Sequence, residues 1–565
     1  MSLFDWVVLG SFLAFVVLYG MWKTRGKKNI QDFLLANKTT PWYTVTISIM
    51  ATQASAITFL STPGQAYVDG MRFVQFYLGL PLAMIILSVT AVPLFHNLKV
   101  YTAYEYLEQR FDLKNRLLGS VLFLIQRGLA AGFTILAPSL IVSILLGWDV
   151  QLTVLITGIL VVLYTASGGT DAVNKTHLMQ MLIITVGMGT AFFMIIYSLP
   201  KDISFLDATK IAGKMGKLNA ITFDFDWKDR YNFWTGLIGG TFLALSYFGT
   251  DQSQVQRYLS GKSIAQSRIG LLANGAIKIP MQFGILFLGA MVFVFYQFAL
   301  PPLFFNSVET TNVKKSAYAS EYQILENKYE VIHNEKQAKI REMLDADKKN
   351  DKIKFSEAAE SVNRSKKNAL EIRKEAAGLI KKANPGADTN DTNFIFLTFV
   401  VNILPAGLIG LILAAIFSAS MSSTSAELNA LASTTVVDIY KRMIKPEGTE
   451  RHYVMVSKLS TIFWGFYAIS FALFANRMGS LIEAVNILGS LFYGTILGIF
   501  LIAFYFKKIG GSATFYSALA AELVVIGCFF FTDIPYLWYN VIGCVLLILL
   551  AHLVHPFVKK LSRPL

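Results

Sequence analysis

Apolar residues in this chain run in continuous blocks of about twenty, separated by short polar stretches, from residue 3 to residue 555. Twenty helical residues rise about 30 Å, the thickness of the hydrocarbon core of a bilayer. The blocks fall near 3–22, 42–61, 73–95, 117–146, 150–167, 174–199, 233–256, 272–299, 394–421, 453–475, 480–506, 512–531 and 534–555. They predict an all-α integral membrane protein with about 13 spans. A β-barrel is excluded, because its strands alternate apolar and polar positions and these blocks do not. Residues 305–392 break the pattern, being polar and rich in Lys and Glu. Leu325, Tyr329, Ile332, Ile340 and Leu344 lie at helical spacing there. Phe355, Ala359, Val362, Ala369, Ile372, Ala376 and Ile380 repeat it before Asn384-Pro385-Gly386. A charged helical hairpin is predicted. It is either a solvated spacer, or its weak apolar stripe closes the hairpin or rests on the membrane domain.

Composition agrees with the pattern: only 15% of residues are charged, against about 25% in soluble proteins. The basic residues are not evenly spread. Lys23 to Lys28, Lys114 to Arg116, Arg257 to Arg268, Lys441 to Arg451, Lys507-Lys508 and Lys559 to Arg563 fall on one side if the N-terminus is outside. The positive-inside rule then puts the C-terminus in the cytoplasm and the 305–392 insertion outside. The net charge of +14 is mostly this topology. It calls for a cell membrane with its lipids, not a nucleic-acid partner. Cys528 and Cys544 both lie in apolar blocks, so no disulfide framework is indicated. The basic cluster follows the first apolar block instead of preceding it, which reads as an uncleaved helix.

Chemistry is sought where a span loses its regularity, because in lipid every backbone polar group must be satisfied internally. Ala51-Thr52-Gln53-Ala54-Ser55-Ala56-Ile57-Thr58 is small and polar, and Pro63-Gly64 follows. Unwinding there would free carbonyl oxygens, hard ligands for a small hard cation. A small-residue packing face is the alternative. The ninth block carries Ser418-Ala419-Ser420-Met421-Ser422-Ser423-Thr424-Ser425. Its hydroxyls either serve a ligand or bond back to their own helix.

Several stretches, in order and at matching spacing, resemble the sodium:solute symporter family over nearly the whole chain. They are Asp32-Phe33-Leu34-Leu35-Ala36-Asn37 into Pro41-Trp42-Tyr43, Thr102 to Phe111, Ala137-Pro138-Ser139-Leu140, Tyr164 to Gly169 with Ala172-Val173, and Ser422-Ser423 through Leu428-Asn429 to Asp438-Ile439-Tyr440. The 102–111 and 137–140 stretches are most similar to the branch carrying iodide, monocarboxylates and vitamins. The resemblance implies a LeuT-type core of two inverted five-helix repeats. Residues 1–41 would hold an extra helix and inner linker, 42–199 the first repeat and 200–232 an outer loop. The second repeat would occupy 233–506, interrupted by 305–392, with two further helices and a short inner tail in 507–565. It also implies one sodium ion, held by the carbonyls of Ala51, Ala54 and Ala419 and the hydroxyls of Ser422 and Ser423. Members thought to bind a second sodium have an aspartate where this chain has His177, and a hydroxyl where it has Ala426; a second site is not expected. His177 either titrates near physiological pH or is satisfied by a carbonyl near the inner face.

For the solute, the resemblance implies that Gln53, Thr58 and Tyr247 face a common cavity and that Lys278 matches a lysine found in sugar-carrying members. Lys278 otherwise snorkels to the inner face. Arg127 sits deep in the fourth block, and its fork suits a carboxylate; its alternative is a structural ion pair. Gly249 permits a break in the seventh block, and Asp251 just beyond it suits an amine or a lysine partner. Glu427 and Glu522 read as structural. Two cations in or near one cavity favour an organic anion such as a monocarboxylate, a sialate-like acid or an acid vitamin, with a sugar or iodide as the alternatives. One sodium falling through 100 mV releases about 2.3 kcal/mol, and a tenfold gradient adds roughly 1.4. A neutral solute can use both terms; a monoanion moving with one sodium keeps only the second. A transporter-derived sensor would need an appended signalling domain, and only about ten residues follow His555. An intramembrane enzyme would need a nucleophile–base pair or a metal cluster, and the six histidines form none. Oligomeric state is not legible in the sequence.

Overall fold

The computed structural model describes residues 1–24, 40–98, 100–475 and 479–561. Among them the chain is all-helical, with a single isolated β-bridge between Thr40 and Gly261. In chain order the helices are α1 (Leu3–Thr24), α2 (Trp42–Gln53), α3 (Ala56–Asp69), α4 (Leu80–Val89), α5 (Ala91–Leu98), α6 (Ala103–Arg110), α7 (Leu113–Leu146) and α8 (Val150–Tyr197). Then come α9 (Phe205–Lys214), α10 (Gly240–Gly249), α11 (Gln252–Leu259), α12 (Ile264–Phe298), α13 (Ser307–Lys314), α14 (Ala319–Lys348) and α15 (Lys352–Ala383). The last are α16 (Ile395–Ile403), α17 (Leu408–Thr434), α18 (Glu450–Ala475), α19 (Leu481–Tyr505), α20 (Gly511–Phe531) and α21 (Tyr536–Leu561). Nine stretches of the described residues are helical, long and apolar enough to cross a bilayer, and the protein is multi-pass. Its lipid-facing surface is correspondingly apolar, with Leu182, Phe193, Phe463 and Phe530 exposed.

Two breaks define the architecture. The first separates α2 from α3 at Ala54-Ser55, and the second separates α10 from α11 at Thr250-Asp251. Both fall in blocks expected from the sequence to start a five-helix repeat. In the LeuT-type arrangement these half-helices meet at the centre, and α7 and α17 pass beside them.

Two boundaries differ from expectation. Blocks 150–167 and 174–199 fall in one helix, α8, which runs through Gly168-Gly169 and the polar residues after them. The ninth block, expected at 394–421, is two helices. Pro405 and Gly407, at φ 89°, turn the chain between α16 and α17. The Ser/Thr run therefore lies in the middle of α17, not at its end. Asp5 on α1 accepts from the Gly407 amide at 2.6 Å and the Gly410 amide at 3.1 Å, closing the N-terminus of α17 with a carboxylate.

The 305–392 insertion is the expected hairpin, α14 against α15, but it is not a solvated spacer. Leu325, Tyr329, Ile372, Ala376 and Ile380 form a small core with Leu303 and Phe304. Ile340, Leu344 and Val362 join the core of the membrane domain. Arg373 grips Asp391 through both carboxylate oxygens at 2.9 and 2.7 Å, and Asp391 accepts from the Phe305 amide at 2.8 Å. Lys210 and Asp347 pair at 2.7 Å, tying α9 to α14.

His333, on the buried face of α14, is 3% exposed and has no hydrogen-bond partner on either ring nitrogen among the described residues. Burial, with Lys336 beside it, pushes its pKa down to about 4, against about 6.5 for a free imidazole. The unfolded hairpin therefore binds more protons than the folded one between those values, and stability falls as pH drops through that window. Hydrogen exchange of α14 and α15 is expected to show about 1 kcal/mol of lost protection per pH unit below 6.5. His333→Leu is expected to flatten that dependence.

Candidate functional site

The break between α2 and α3 can be followed bond by bond. Ala54 takes φ −85°, ψ 75° and Ser55 φ −78°, ψ 173°, outside the helical region. The Ser55 amide, which a continuous helix would give to Ala51, turns to the Gln53 carbonyl at 3.1 Å. The Thr58 amide, due to Ala54, goes to Ser55 at 2.9 Å. The carbonyls of Ala51 and Ala54 are thus relieved of their helical partners. α17 passes alongside: Ser422 Oγ donates to the Ala51 carbonyl at 3.4 Å. Ser423 Oγ donates to its own helix, to Ala419 at 3.0 Å and Ser420 at 3.2 Å. Ala51, Ala54, Ala419, Ser422 and Ser423 are all buried, and the alanines let the two helices approach. His177 on α8 is also buried, its Nδ1 at 3.2 Å from Ser48 Oγ on α2.

Beside the break is a cavity of about 90 Å³ lined by Gln53, Thr58, Arg127, Tyr247, Glu427 and Tyr493 among others. Four of the six expected solute residues therefore share one cavity. Asp251 is joined to it through Arg127. Lys278 is fully buried rather than snorkelled, and it lies behind the wall: Tyr77 lines the cavity, and Lys278 Nζ is 5.6 Å from that ring's centroid.

Arg127 organises the polar floor. Its Nη1 donates to Glu427 at 3.0 Å, while Nη2 donates to Asp251 and to the Tyr493 hydroxyl at 2.6 Å. The guanidinium lies 5.3 Å from the Tyr247 ring centroid. Thr134 Oγ1 donates to the second Glu427 oxygen at 2.9 Å. Asp251 also caps α11, accepting from the Ser253 amide at 2.9 Å. Glu427, read from sequence as structural, is a cavity residue paired to the buried cation. Its position four residues after Ser423, one helical turn on, was the available signal. Tyr493 had none, since a tyrosine in an apolar block looks like any core aromatic.

A cavity this small is below the roughly 300 Å³ where ligand pockets begin, and the contacts of α3 explain why. Ser480 Oγ donates to Gln65 at 2.9 Å, and the Ile482 amide donates to Ser61 at 3.3 Å. At Gly64 a Cβ would meet the Thr392 carbonyl at 2.0 Å. The far end of α3 is thus clamped against α19 and the segment before α16.

Residues 33–321 and 375–521 match the family model described as the sodium:solute symporter family. The chain is 25% identical over 570 residues to the sodium/sialic acid symporter of Proteus mirabilis, covering 99% of this chain and 96% of that one. It is 27% identical over 516 residues to the sodium-dependent multivitamin transporter of Oryctolagus cuniculus, covering 89% and 67%. To the human sodium-coupled monocarboxylate transporter 1 it is 34% identical over 273 residues, covering 48% and 44%. Among solved structures, the substrate-bound outward-open state of a Na+-coupled sialic acid symporter superposes with a TM-score of 0.74 at 23% identity, covering 98% of both chains. That likeness gives the fold, and the family match spans most of the chain: this protein belongs to the sodium:solute symporter family.

Proposed function

We propose that the chain imports a small organic anion together with one sodium ion by alternating access, with its N-terminus outside and its C-terminus in the cytoplasm. The observation that carries this reading is the release of the Ala51 and Ala54 carbonyls beside the Ser422 hydroxyl. Five oxygens, three from main chain (Ala51, Ala54, Ala419) and two hydroxyls (Ser422, Ser423), suit a small hard cation. With sodium bound, Ser423 gives up part of its bonding to its own helix. Sodium then links α2 to α17 and biases the hinge at Ala54-Ser55, from which α3 swings to widen the cavity. The orientation rests on the one-sided distribution of Lys and Arg.

Arg127 supports an anionic solute, because its planar fork matches a carboxylate. The relatives point the same way: sialic acid and monocarboxylates are both acids. The two acids already on Arg127 set the competition. A solute carboxylate displaces Glu427 from Nη1, and the sodium charge, entering with the solute, offsets the added negative charge. Asp251, which also caps α11, stays in place and keeps the guanidinium aimed.

Three outcomes are expected. In sodium titrations of uptake, Ser423→Ala raises the half-saturating sodium concentration at least tenfold, about 1.4 kcal/mol, with the solute KM at saturating sodium little changed. Glu427→Gln, by removing the competitor for Arg127, lowers the KM for the transported acid roughly threefold; a raised KM would point to Glu427 binding a cationic part of the solute. Uptake of a monoanion with one sodium is electroneutral, so voltage clamp of reconstituted protein should record no current that scales with uptake. A proportional current would rule out that pairing of charge and stoichiometry.

A further inference from the structure

A second cavity, of about 330 Å³, lies between α8 and α12, away from the solute cavity. Its walls are Met181, Ile184, Met188 and Phe192 on one side, and Met281, Ile285, Phe287 and Leu288 on the other. Phe59 of α3 forms its floor. The lining holds one side-chain hydroxyl, Thr185, which already donates to the Met181 carbonyl at 2.8 Å. A stable buried water needs two to four polar partners, so this cavity does not hold water. It is not closed by protein either. Thr185, Pro280 and Gly284 at its rim are exposed, and neither Gly189 nor Gly284 has any atom within 4 Å of where a Cβ would be.

The depth identifies the occupant. Gly189 and Gly284 lie towards the middle of two stretches long and apolar enough to span a bilayer, His177–Tyr197 and Ile264–Phe298. At that depth the surrounding medium is hydrocarbon. From Pro280 to Phe287 the walls run roughly 10 Å along the helix axis, a groove in register with an acyl chain. Three methionines give walls that adapt to a flexible occupant. We propose that this groove is a binding site for the acyl chain of a bilayer phospholipid. A chain lodged there packs on Phe59, next in sequence to Thr58 of the solute cavity, and so on the half-helix that hinges at the break.

The test is photolabelling of the full-length protein in bilayer nanodiscs, using a phosphatidylcholine that carries a diazirine at mid-chain, with labelled peptides mapped by mass spectrometry. Labelling should concentrate on 181–192 and 280–288, at least fivefold above the lipid-exposed face of α20. Gly284→Leu and Gly189→Leu place a side chain in the groove and should each reduce that labelling at least fivefold. Gly527→Leu on α20, also with no atom within 4 Å, should leave it unchanged. Uniform labelling of all lipid-facing helices in the unmodified protein would overturn the proposal, and so would full labelling in both filled variants. The unmodified map decides the matter even if a filled variant does not fold.

Discussion

A carbonyl released from a helix inside a bilayer has no water to turn to, and this is the constraint on which the structure rests. Unmet, each such group costs several kcal/mol, so a helix breaks at this depth only where something else receives its oxygens. At Ala54-Ser55 the neighbouring surface is α17, whose Ser422 hydroxyl donates to the released Ala51 carbonyl. The small side chains follow from the same requirement. Ala51 and Ala54 on one side and Ala419 on the other are buried and small, which suits close approach of the two helices. A bulky residue at any of the three would hold the helices apart and leave the carbonyls stranded.

The rule for charges is stricter, and it explains the cavity floor. A guanidinium taken out of water is retained only with its charge matched and most of its N–H groups occupied. Arg127 receives two carboxylates and a tyrosine hydroxyl, drawn from α17, from the start of α11 and from α19. One side chain on α7 thus ties the second broken helix to α17 and α19. Taken as ionised, the three groups sum to one negative charge, a surplus that favours the arrival of a cation with any anion.

The two segments that meet at the centre were legible because their compositions are anomalous: small polar runs inside apolar blocks contradict their surroundings. The second break, at Thr250-Asp251, could be read from Gly249 for the same reason. Helix boundaries were less legible. Blocks of apolar residues mark depth in the membrane, and depth alone separates neither α16 from α17 nor one half of α8 from the other. Pro405 and Gly407 carried the signal for the first of these. Partnership was the least legible property. That Glu427 faces Arg127 follows from where α7 and α17 cross, and no local pattern encodes a crossing. Lys278 teaches the converse: its charge and depth pointed to the cavity, yet it packs on Tyr77 and does not line the cavity itself.

The hairpin belongs to this argument through its attachment. Its second helix ends at Ala383, and eight residues later Asp391 takes the Arg373 fork and the Phe305 amide together. The next residue, Thr392, presses its carbonyl on Gly64 of α3, and Asn393 bonds to Gly479 and Leu481 at the head of α19. The segment that clamps the far end of the broken helix is therefore itself held by a buried-face arginine of the insertion. For α3 to swing away, either this seat moves with it or the contacts at Gly64 and Asn393 separate. Asp391 is bonded on two sides, to Arg373 and to the Phe305 amide, while the contacts at Gly64 and Asn393 are one packing approach and two single hydrogen bonds. The attachment of Thr392 at Gly64, a packing approach without a hydrogen bond, is the weaker of the two.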